Sequence, residues 1–223
     1  MKLCSRVAVI YCLAVACSVA GTVTTLNFND LNLADDIVVA DSSSIALSGT
    51  IVAVGWYNSG FDVAAAVASN DYASLSSVSN FNVLTSTLTG QTTSSFGSDI
   101  AGYFDSPNTN YGAPTGGMTG SQLYVLFGNN STLAAPTSQY ALVRFNETIG
   151  SEPPPDSNTL NLTGGSYSIL AGTPGTATVN LSSVGGSSTE SNTSLNLVAV
   201  PEPSAALLGG LGALALLRRR RVA

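Results

Sequence analysis

The sequence predicts an all-β protein, with an antiparallel β-sandwich body between an N-terminal signal peptide and a C-terminal hydrophobic helix. Two observations on the body support this fold class. Residues 21–200 contain 28 Ser, 22 Thr and 17 Asn, a composition that favours strands and turns over helices. Several short segments in the same region alternate apolar side chains between two faces, and no long helical period is visible.

Three segments give the clearest strand patterns. Thr50–Tyr57 is apolar on both faces, which suits a central strand of a sheet. Gln122–Phe127 and Gln139–Phe145 alternate regularly and are expected to pair as an antiparallel hairpin around the polar loop 128–138. We expect these three strands to share one sheet of the sandwich. The side chains expected in its core are Val54, Trp56, Leu123, Val125, Val143 and Phe145.

The remainder of the body gives weaker signals. Within Ala64–Thr93, the segment Tyr72–Val78 is compatible with a short helix, and the other residues are expected to form loop. The proline run Glu152–Asp156 also indicates a loop, because proline cannot donate to a β ladder. Four further short strands, separated by turns rich in Gly and Ser, are expected near Thr159–Leu162, Ser166–Leu170, Thr176–Leu181 and Ser194–Ala199.

The first 20 residues have the composition of a secretory signal peptide. Two basic residues precede the apolar segment Val7–Val19, and small residues follow it. We therefore expect cleavage between Ala20 and Gly21. The alternative is a lipoprotein signal cleaved before Cys17, in which Ala14 stands where leucine is usual.

Residues 199–223 form a second terminal unit with three parts. The triplet Pro201, Glu202 and Pro203 precedes the apolar segment Ser204–Leu217. The basic residues that follow are Arg218, Arg219, Arg220 and Arg221. This arrangement resembles the PEP-CTERM sorting signal. The resemblance implies that an exported bacterial protein is carried to a membrane-bound exosortase and processed near the Pro-Glu-Pro triplet.

The physical properties of this tail agree with a temporary membrane stage. Ser204–Leu217 has 14 residues, and a helix of that length spans about 21 Å, less than the ~30 Å hydrocarbon core of a bilayer. The positive-inside bias keeps Arg218–Arg221 in the cytoplasm and places the body outside. A solvated amphipathic helix is the alternative, but leucines surround this segment and leave it no polar face.

The body between the two signals is strongly acidic. Residues 21–200 contain twelve acidic residues and one basic residue, Arg144, which gives a formal charge of −11. Such a surface excludes nucleic acid as a partner, because proteins bind phosphates mainly through Lys and Arg. Cys4, Cys12 and Cys17 all lie in the signal peptide, so the mature body has no disulfide and depends on its hydrophobic core.

The residue inventory argues against catalysis. The chain has no histidine, its single lysine is Lys2, and the body has no cysteine. Ser-His-Asp, Cys-His and Ser-Lys systems, Schiff bases, and zinc sites built on His or Cys are therefore excluded. A carboxylate pair, as in glycoside hydrolysis, remains available, although no motif joins two of the acids. We expect no catalytic residue, no metal site and no cofactor.

Two binding hypotheses remain open. Oxygen ligands for calcium are available from Asp30, Asn32, Asp35, Asp36, Asp41, Asp99 and Asp105. Their spacing does not follow the EF-hand pattern, and solvated acids of an acidic secreted protein explain the same residues. Aromatic side chains able to stack on sugar rings are Trp56, Tyr57 and Phe61, or Tyr103, Phe104 and Tyr111. Aromatic residues at strand spacing more often belong to a core.

The sequence therefore predicts a signal peptide (1–20), a β-sandwich body (21–198) and a sorting signal with a short transmembrane helix (199–223). We expect an exported, exosortase-sorted structural or interaction protein of the cell envelope or extracellular matrix, without catalysis. Its expected partners are the exosortase, the export machinery and, before processing, the cytoplasmic membrane; exopolysaccharide is a further candidate. The alternatives are a secreted polysaccharide- or calcium-binding module and, third, a carboxylate-based glycoside hydrolase.

Overall fold

The structure is a computed structural model. It describes residues 21–25, 38–90, 100–104, 109–111, 120–148, 158–160, 167–180 and 189–201. These residues are mostly β-strand, with two helices of six and five residues, which confirms a mainly β body. The expected signal peptide and C-terminal helix lie outside the described residues, as does the proline run 152–156. Neither described helix is long and apolar enough to cross a membrane.

Twelve strands and two helices follow one another along the described residues. The strands are β1 (Gly21–Thr25), β2 (Val38–Ala40), β3 (Ile51–Tyr57), β4 (Phe81–Leu88), β5 (Thr109–Tyr111), β6 (Gln122–Gly128), β7 (Gln139–Thr148), β8 (Asn158–Leu160), β9 (Tyr167–Ala171), β10 (Thr173–Asn180), β11 (Thr189–Asn196) and β12 (Val198–Ala199). The helices are α1 (Val63–Ala68) and α2 (Tyr72–Ser76), both between β3 and β4.

The largest sheet, here called the central sheet, has the order β12-β7-β6-β3-β4, and β9 also pairs with β7. All of its pairings are antiparallel. It contains the three strands predicted most clearly from the sequence, and β3 lies inside the sheet as its two apolar faces indicate. The expected hairpin is also confirmed, because β6 and β7 pair with Val125 opposite Val143.

Two smaller sheets accompany the central sheet. The second sheet has the order β10-β11-β2, and the third has the order β5-β1-β8. In the second sheet β2 runs parallel to β11, with Val38 opposite Ser194, and in the third β8 runs parallel to β1. The sequence predicts antiparallel pairing throughout, and this is wrong for these two strand pairs. These partners are far apart in the chain, so no hairpin turn fixes their direction.

A first core joins the central and second sheets. Its buried side chains are Val38, Val39, Ala40, Val52, Val54, Ile100, Tyr103, Phe104, Leu123, Val125, Phe127, Ala141, Val143, Phe145, Ala177, Val179, Leu195 and Leu197. Five of the six expected core residues are in this group, each at most 2 % exposed. Trp56 is the exception and is only partly buried against this core. It lies one residue beyond Gly55, where the pairing of β3 with β6 ends, so one side lacks a neighbouring strand.

A second core covers the opposite face of the central sheet. Its buried side chains are Ala53, Tyr57, Ala66, Tyr72, Leu75, Phe81, Leu126, Tyr140, Leu142 and Ala171. Helices α1 and α2 supply Ala66, Tyr72 and Leu75, which shield sheet residues from water. The central sheet is therefore apolar on both faces, with strands on one side and the helices on the other.

The segment 64–93 differs in part from its prediction. The short helix expected at Tyr72–Val78 is confirmed as α2, but the expectation of loop is wrong for residues 64–68 and 81–88. These residues form much of α1 and all of β4. Residues 91–93 lie outside the described residues. Helix α1 begins after Asp62, whose carboxylate accepts the N–H of Ala65 at 2.9 Å. Its six residues are too few to show a helical period, so capping and packing determine it.

Candidate ligand cavity beside Arg144

Arg144 is the single cation of residues 21–200, and it lies on the helix-covered side of the central sheet. Along β7, Val143 and Phe145 point into the first core, so the alternation of a strand directs Arg144 to the opposite face. Its partners in register are Tyr124 on β6 and Ser168 on β9. A charged side chain therefore lies on a face whose buried members are mostly apolar or aromatic.

A cavity of about 680 Å³ opens at this position. Strands β6, β7 and β9 supply one side of it, and α1 with the preceding turn supplies the other. The lining residues are Gly60, Phe61, Asp62, Val63, Ala64, Val67, Ala68, Tyr124, Arg144 and Leu170. Most of this surface is apolar, and a few polar groups converge on it, which is the usual composition of a small-molecule site.

Arg144 lines the cavity, and one of its donors is enclosed by protein. Its Nε is buried and has no hydrogen-bond partner among the atoms that the structure describes. A buried donor without a partner costs about 1–3 kcal/mol. The guanidinium presents its N–H groups as a planar fork that matches a carboxylate or a phosphate. Arg144 is thus suited to hold an anionic group that enters the cavity.

Asp62 and Gly60 shape the turn that faces Arg144. The carboxylate of Asp62 caps α1, which fixes its position at the mouth of the helix. Gly60 has a φ of 96°, a backbone conformation that side chains with a Cβ rarely adopt. This turn brings Phe61 and Asp62 side by side onto the cavity wall.

Aromatic rings support the wall from behind. Phe61 stacks on Tyr57 with ring centroids 5.1 Å apart, and Tyr57 meets Tyr124 edge to face at 4.9 Å. The hydroxyl of Tyr57 donates to the Leu75 carbonyl at 3.1 Å, which links the rings to α2. Phe61 and Tyr124 are therefore held in place before any ligand arrives, and this reduces the entropy lost on binding.

The hydroxyl of Tyr124 remains a neutral donor at ordinary pH. Burial raises its pKa, and the positive charge of Arg144 opposes that rise only in part. Burial likewise raises the pKa of Tyr57. The charged groups in the lining of the cavity are consequently Arg144 and Asp62, one of each sign.

The aromatic sets proposed from the sequence as sugar platforms are largely core. Tyr57, Tyr103 and Phe104 are 7 %, 1 % and 1 % exposed, so they offer no surface for stacking, and that interpretation is wrong for them. Tyr103 lies so deep that its hydroxyl accepts a 2.6 Å hydrogen bond from Asn192. Phe61 does reach the cavity, whereas the side chain of Tyr111 lies outside the described residues.

The calcium candidates are represented in the structure by Asp41. Its carboxylate accepts the N–H groups of Ser43 and Ile45 at 2.8 and 2.9 Å, so it closes a turn. Among the residues with described positions, no group of three or more Asp, Glu, His or Cys could hold a metal ion. The candidates outside the described residues are Asp30, Asn32, Asp35, Asp36, Asp99 and Asp105.

The terminal processing residues stand at the margins of the described chain. Gly21 is the first residue of β1 and pairs with Tyr111. Pro201 is exposed and follows Val200, whose N–H donates to the Ser138 carbonyl at 2.8 Å. The predicted residues outside the described part are Ala20, Glu202, Pro203 and Arg218–Arg221.

The cavity was not predicted from the sequence, although one signal pointed to it. Arg144 follows Tyr140 and Leu142 on one face of its strand, and a lone cation on an apolar face is unusual. The contribution of Phe61 and Asp62 depends on how α1 packs across the sheet. No local sequence pattern reports that packing.

The chain is thus a mainly β protein whose last described strand leads directly into a sorting signal. Residues 199–221 match the family model of the PEP-CTERM protein-sorting motif, which confirms the resemblance. The motif implies export, sorting to the cell surface and processing by an exosortase. No curated protein matches the chain significantly, and no solved structure does so either.

Proposed function

We propose that this chain is a structural or interaction protein of the cell envelope or the surrounding exopolysaccharide, without catalysis. The match of residues 199–221 to the sorting motif carries the proposal. The first core between the central and second sheets supports a β-sandwich as the delivered body. The lack of His, Cys and Lys in residues 21–200 supports a non-catalytic role.

The proposal includes a transient stage in the cytoplasmic membrane. Arg218–Arg221 stay on the cytoplasmic side, because moving four cations across the bilayer is unfavourable, and the short apolar segment holds the precursor until processing. Removal of the tail then releases the body outside the membrane.

Mass spectrometry of the protein recovered from the cell exterior tests this proposal. The expected mature form lacks Leu207–Arg221, and alanine at Pro201, Glu202 and Pro203 should leave the precursor in the membrane fraction. A matched control with alanine at the exposed positions Ser42 and Ser43 should be processed normally. A mature form that still carries Leu207–Arg221 would show that the tail is a permanent anchor.

A second candidate function is a polysaccharide-binding module, and the cavity beside Arg144 favours it. The cavity combines an apolar wall, aromatic rings and polar groups of both signs. Calcium binding has no comparable support among the described residues. We do not propose glycoside hydrolysis, because that chemistry uses two carboxyl groups and Asp62 is the one acid in the described lining.

A further inference from the structure

We propose that the Arg144 cavity binds a uronate, the carboxylate-bearing unit of an acidic polysaccharide. This inference rests on the second candidate function and deepens it by naming the ligand class. It uses the position of Arg144, the apolar wall, Asp62, and the size of the opening.

Arg144 supplies the contact for the carboxylate. Arg144 lines the cavity, and the planar fork of its guanidinium matches the two oxygens of a carboxylate. A singly charged anion matches one guanidinium. A phosphate carries nearly two charges, and it would bring one of them uncompensated toward a body of charge −11. The charge balance therefore favours a carboxylate over a phosphate monoester.

The wall opposite Arg144 fits a sugar ring. Phe61 and Val67 present apolar surface there, and Leu170 adds apolar surface on the sheet side, next to Arg144. Such surface suits the C–H face of a pyranose. Phe61 is already fixed by its stack on Tyr57, so it need not be ordered by the ligand. The neutral hydroxyl of Tyr124 adds a donor next to the guanidinium.

Asp62 distinguishes a sugar acid from a simple apolar acid. A carboxylate on the cavity wall accepts hydrogen bonds from hydroxyl groups, whereas it repels a second anion. A uronate carries one carboxylate and several hydroxyls on the same ring, so it can meet Arg144 and Asp62 together. A peptide C-terminus offers a carboxylate and apolar side chains but no hydroxyl-rich face.

The size and openness of the cavity indicate part of a chain. A volume of about 680 Å³ exceeds the space that one sugar ring needs, and it lies within the range of sites for ligands of drug size. We expect two or more linked sugar units to enter, with the carboxylate of one uronate on Arg144 and neutral units beside it, because a second carboxylate would have no cation to meet.

Isothermal titration calorimetry of the protein recovered from the cell exterior tests the inference. The probe is an oligosaccharide with one galacturonate unit among neutral sugars, and its methyl ester is the neutral comparison with the same rings. We expect the free acid to bind at least about tenfold more tightly than the ester, because only the free acid has a charged carboxylate that accepts hydrogen bonds from Arg144. Added salt should weaken binding of the free acid and leave binding of the ester unchanged.

Variants locate the site. Arg144→Gln should lower the affinity for the free acid by about tenfold or more, and Arg144→Lys should be intermediate, because ammonium lacks the planar fork. Ser191→Asp is the matched control: it makes the same change in net charge at an exposed position on β11 and should bind normally. Phe61→Leu should weaken both oligosaccharides. Circular dichroism of each variant checks folding.

Each outcome has a distinct meaning. Equal binding of acid and ester, or unchanged binding by a folded Arg144→Gln variant, would overturn the uronate inference. Tighter binding of a peptide C-terminus than of the oligosaccharide would overturn it in favour of a peptide site. Binding of neutral polysaccharide alone overturns the inference and leaves the binding-module function standing. Binding of no polysaccharide removes both and leaves the sorting proposal, which mass spectrometry tests separately.

Discussion

At the scale of single residues, Gly55 shows how closely two strands of the central sheet approach each other. The pairing of β3 with β4 shifts register between Val54 and Gly55, which forms a bulge. A Cβ at Gly55 would collide with the backbone carbonyl of Asn82 on β4. The position needs glycine because of that close approach.

The first prediction follows from this contact. Gly55→Ala should lower the free energy of unfolding by about 2 kcal/mol or more, because backbone on β4 must move. Gly49→Ala is the control: Gly49 has a φ of 74° but open space around it, so only backbone strain of about 1 kcal/mol is expected. Urea denaturation followed by circular dichroism measures both. Equal losses would mean that the collision with Asn82 is relieved at no cost.

Arg144 shows which properties of a single residue can be predicted from the sequence and which cannot. Strand alternation alone places it on the face opposite Val143 and Phe145, which are core residues as expected. It could not show what covers that face, because Phe61 and Asp62 reach the cavity through a helix that lies more than 75 positions earlier in the sequence. The same limit explains why Tyr103 and Phe104 were considered as a surface and are buried.

At the scale of elements, two short helices depend on their caps. Asp71 accepts the Ser74 N–H at 3.0 Å and also its hydroxyl at 2.6 Å, and these bonds lower the pKa of the Asp71 carboxyl. Helices of five or six residues have little stability of their own, so capping and packing on the central sheet must maintain them.

The second prediction concerns these caps. Asp71→Ala should lower the free energy of unfolding by about 1 kcal/mol, and Asp71→Asn should retain most of it, because Asn is also a good cap. Ser43→Ala, at an exposed turn position, should have little effect. Thermal denaturation at neutral pH compares the three variants. If the Asn variant were as unstable as the Ala variant, the stabilisation would come from the negative charge of Asp71 and not from the hydrogen-bond geometry of the cap.

The strands and helices differ in how clearly the sequence predicts them. Strands β3, β6 and β7 were predictable because each combines β-branched or aromatic residues with a local alternation of apolar side chains. Strand β4 was missed because it is partly exposed and rich in polar residues, and α1 because six residues show no period. The parallel pairing of β2 with β11 has no local signal at all.

At the scale of the whole molecule, buried tyrosines link stability to alkaline pH. Burial raises the pKa of Tyr72 to about 12, against an ordinary value of 10.0, and raises those of Tyr57, Tyr124 and Tyr140 as well. The unfolded chain releases these protons first, so ionisation favours unfolding. For Tyr72, the contribution to stability is complete below pH 10 and is lost between pH 10 and about pH 12.

The third prediction is therefore alkaline unfolding that accompanies tyrosine ionisation. We expect stability to be constant up to about pH 9.5 and to fall steeply above pH 10. Absorbance at 295 nm reports phenolate, and circular dichroism reports folding. Residues 21–200 contain no Lys or Cys to titrate in the same range. Full phenolate formation near pH 10 in a protein that remains folded would contradict the burial of these rings.

The last strand has a consequence for the order of events at the C-terminus. Val198 and Ala199 are hydrogen-bonded to β7, and Val200 donates to Ser138, yet the sorting motif already begins at residue 199. The same backbone groups thus belong to the folded body and to the signal. An enzyme that takes the residues before Pro201 into its cleft must first detach β12, so its rate scales with the fraction of molecules in which that strand is open. Each 1.4 kcal/mol that holds β12 in place would slow such a step about tenfold.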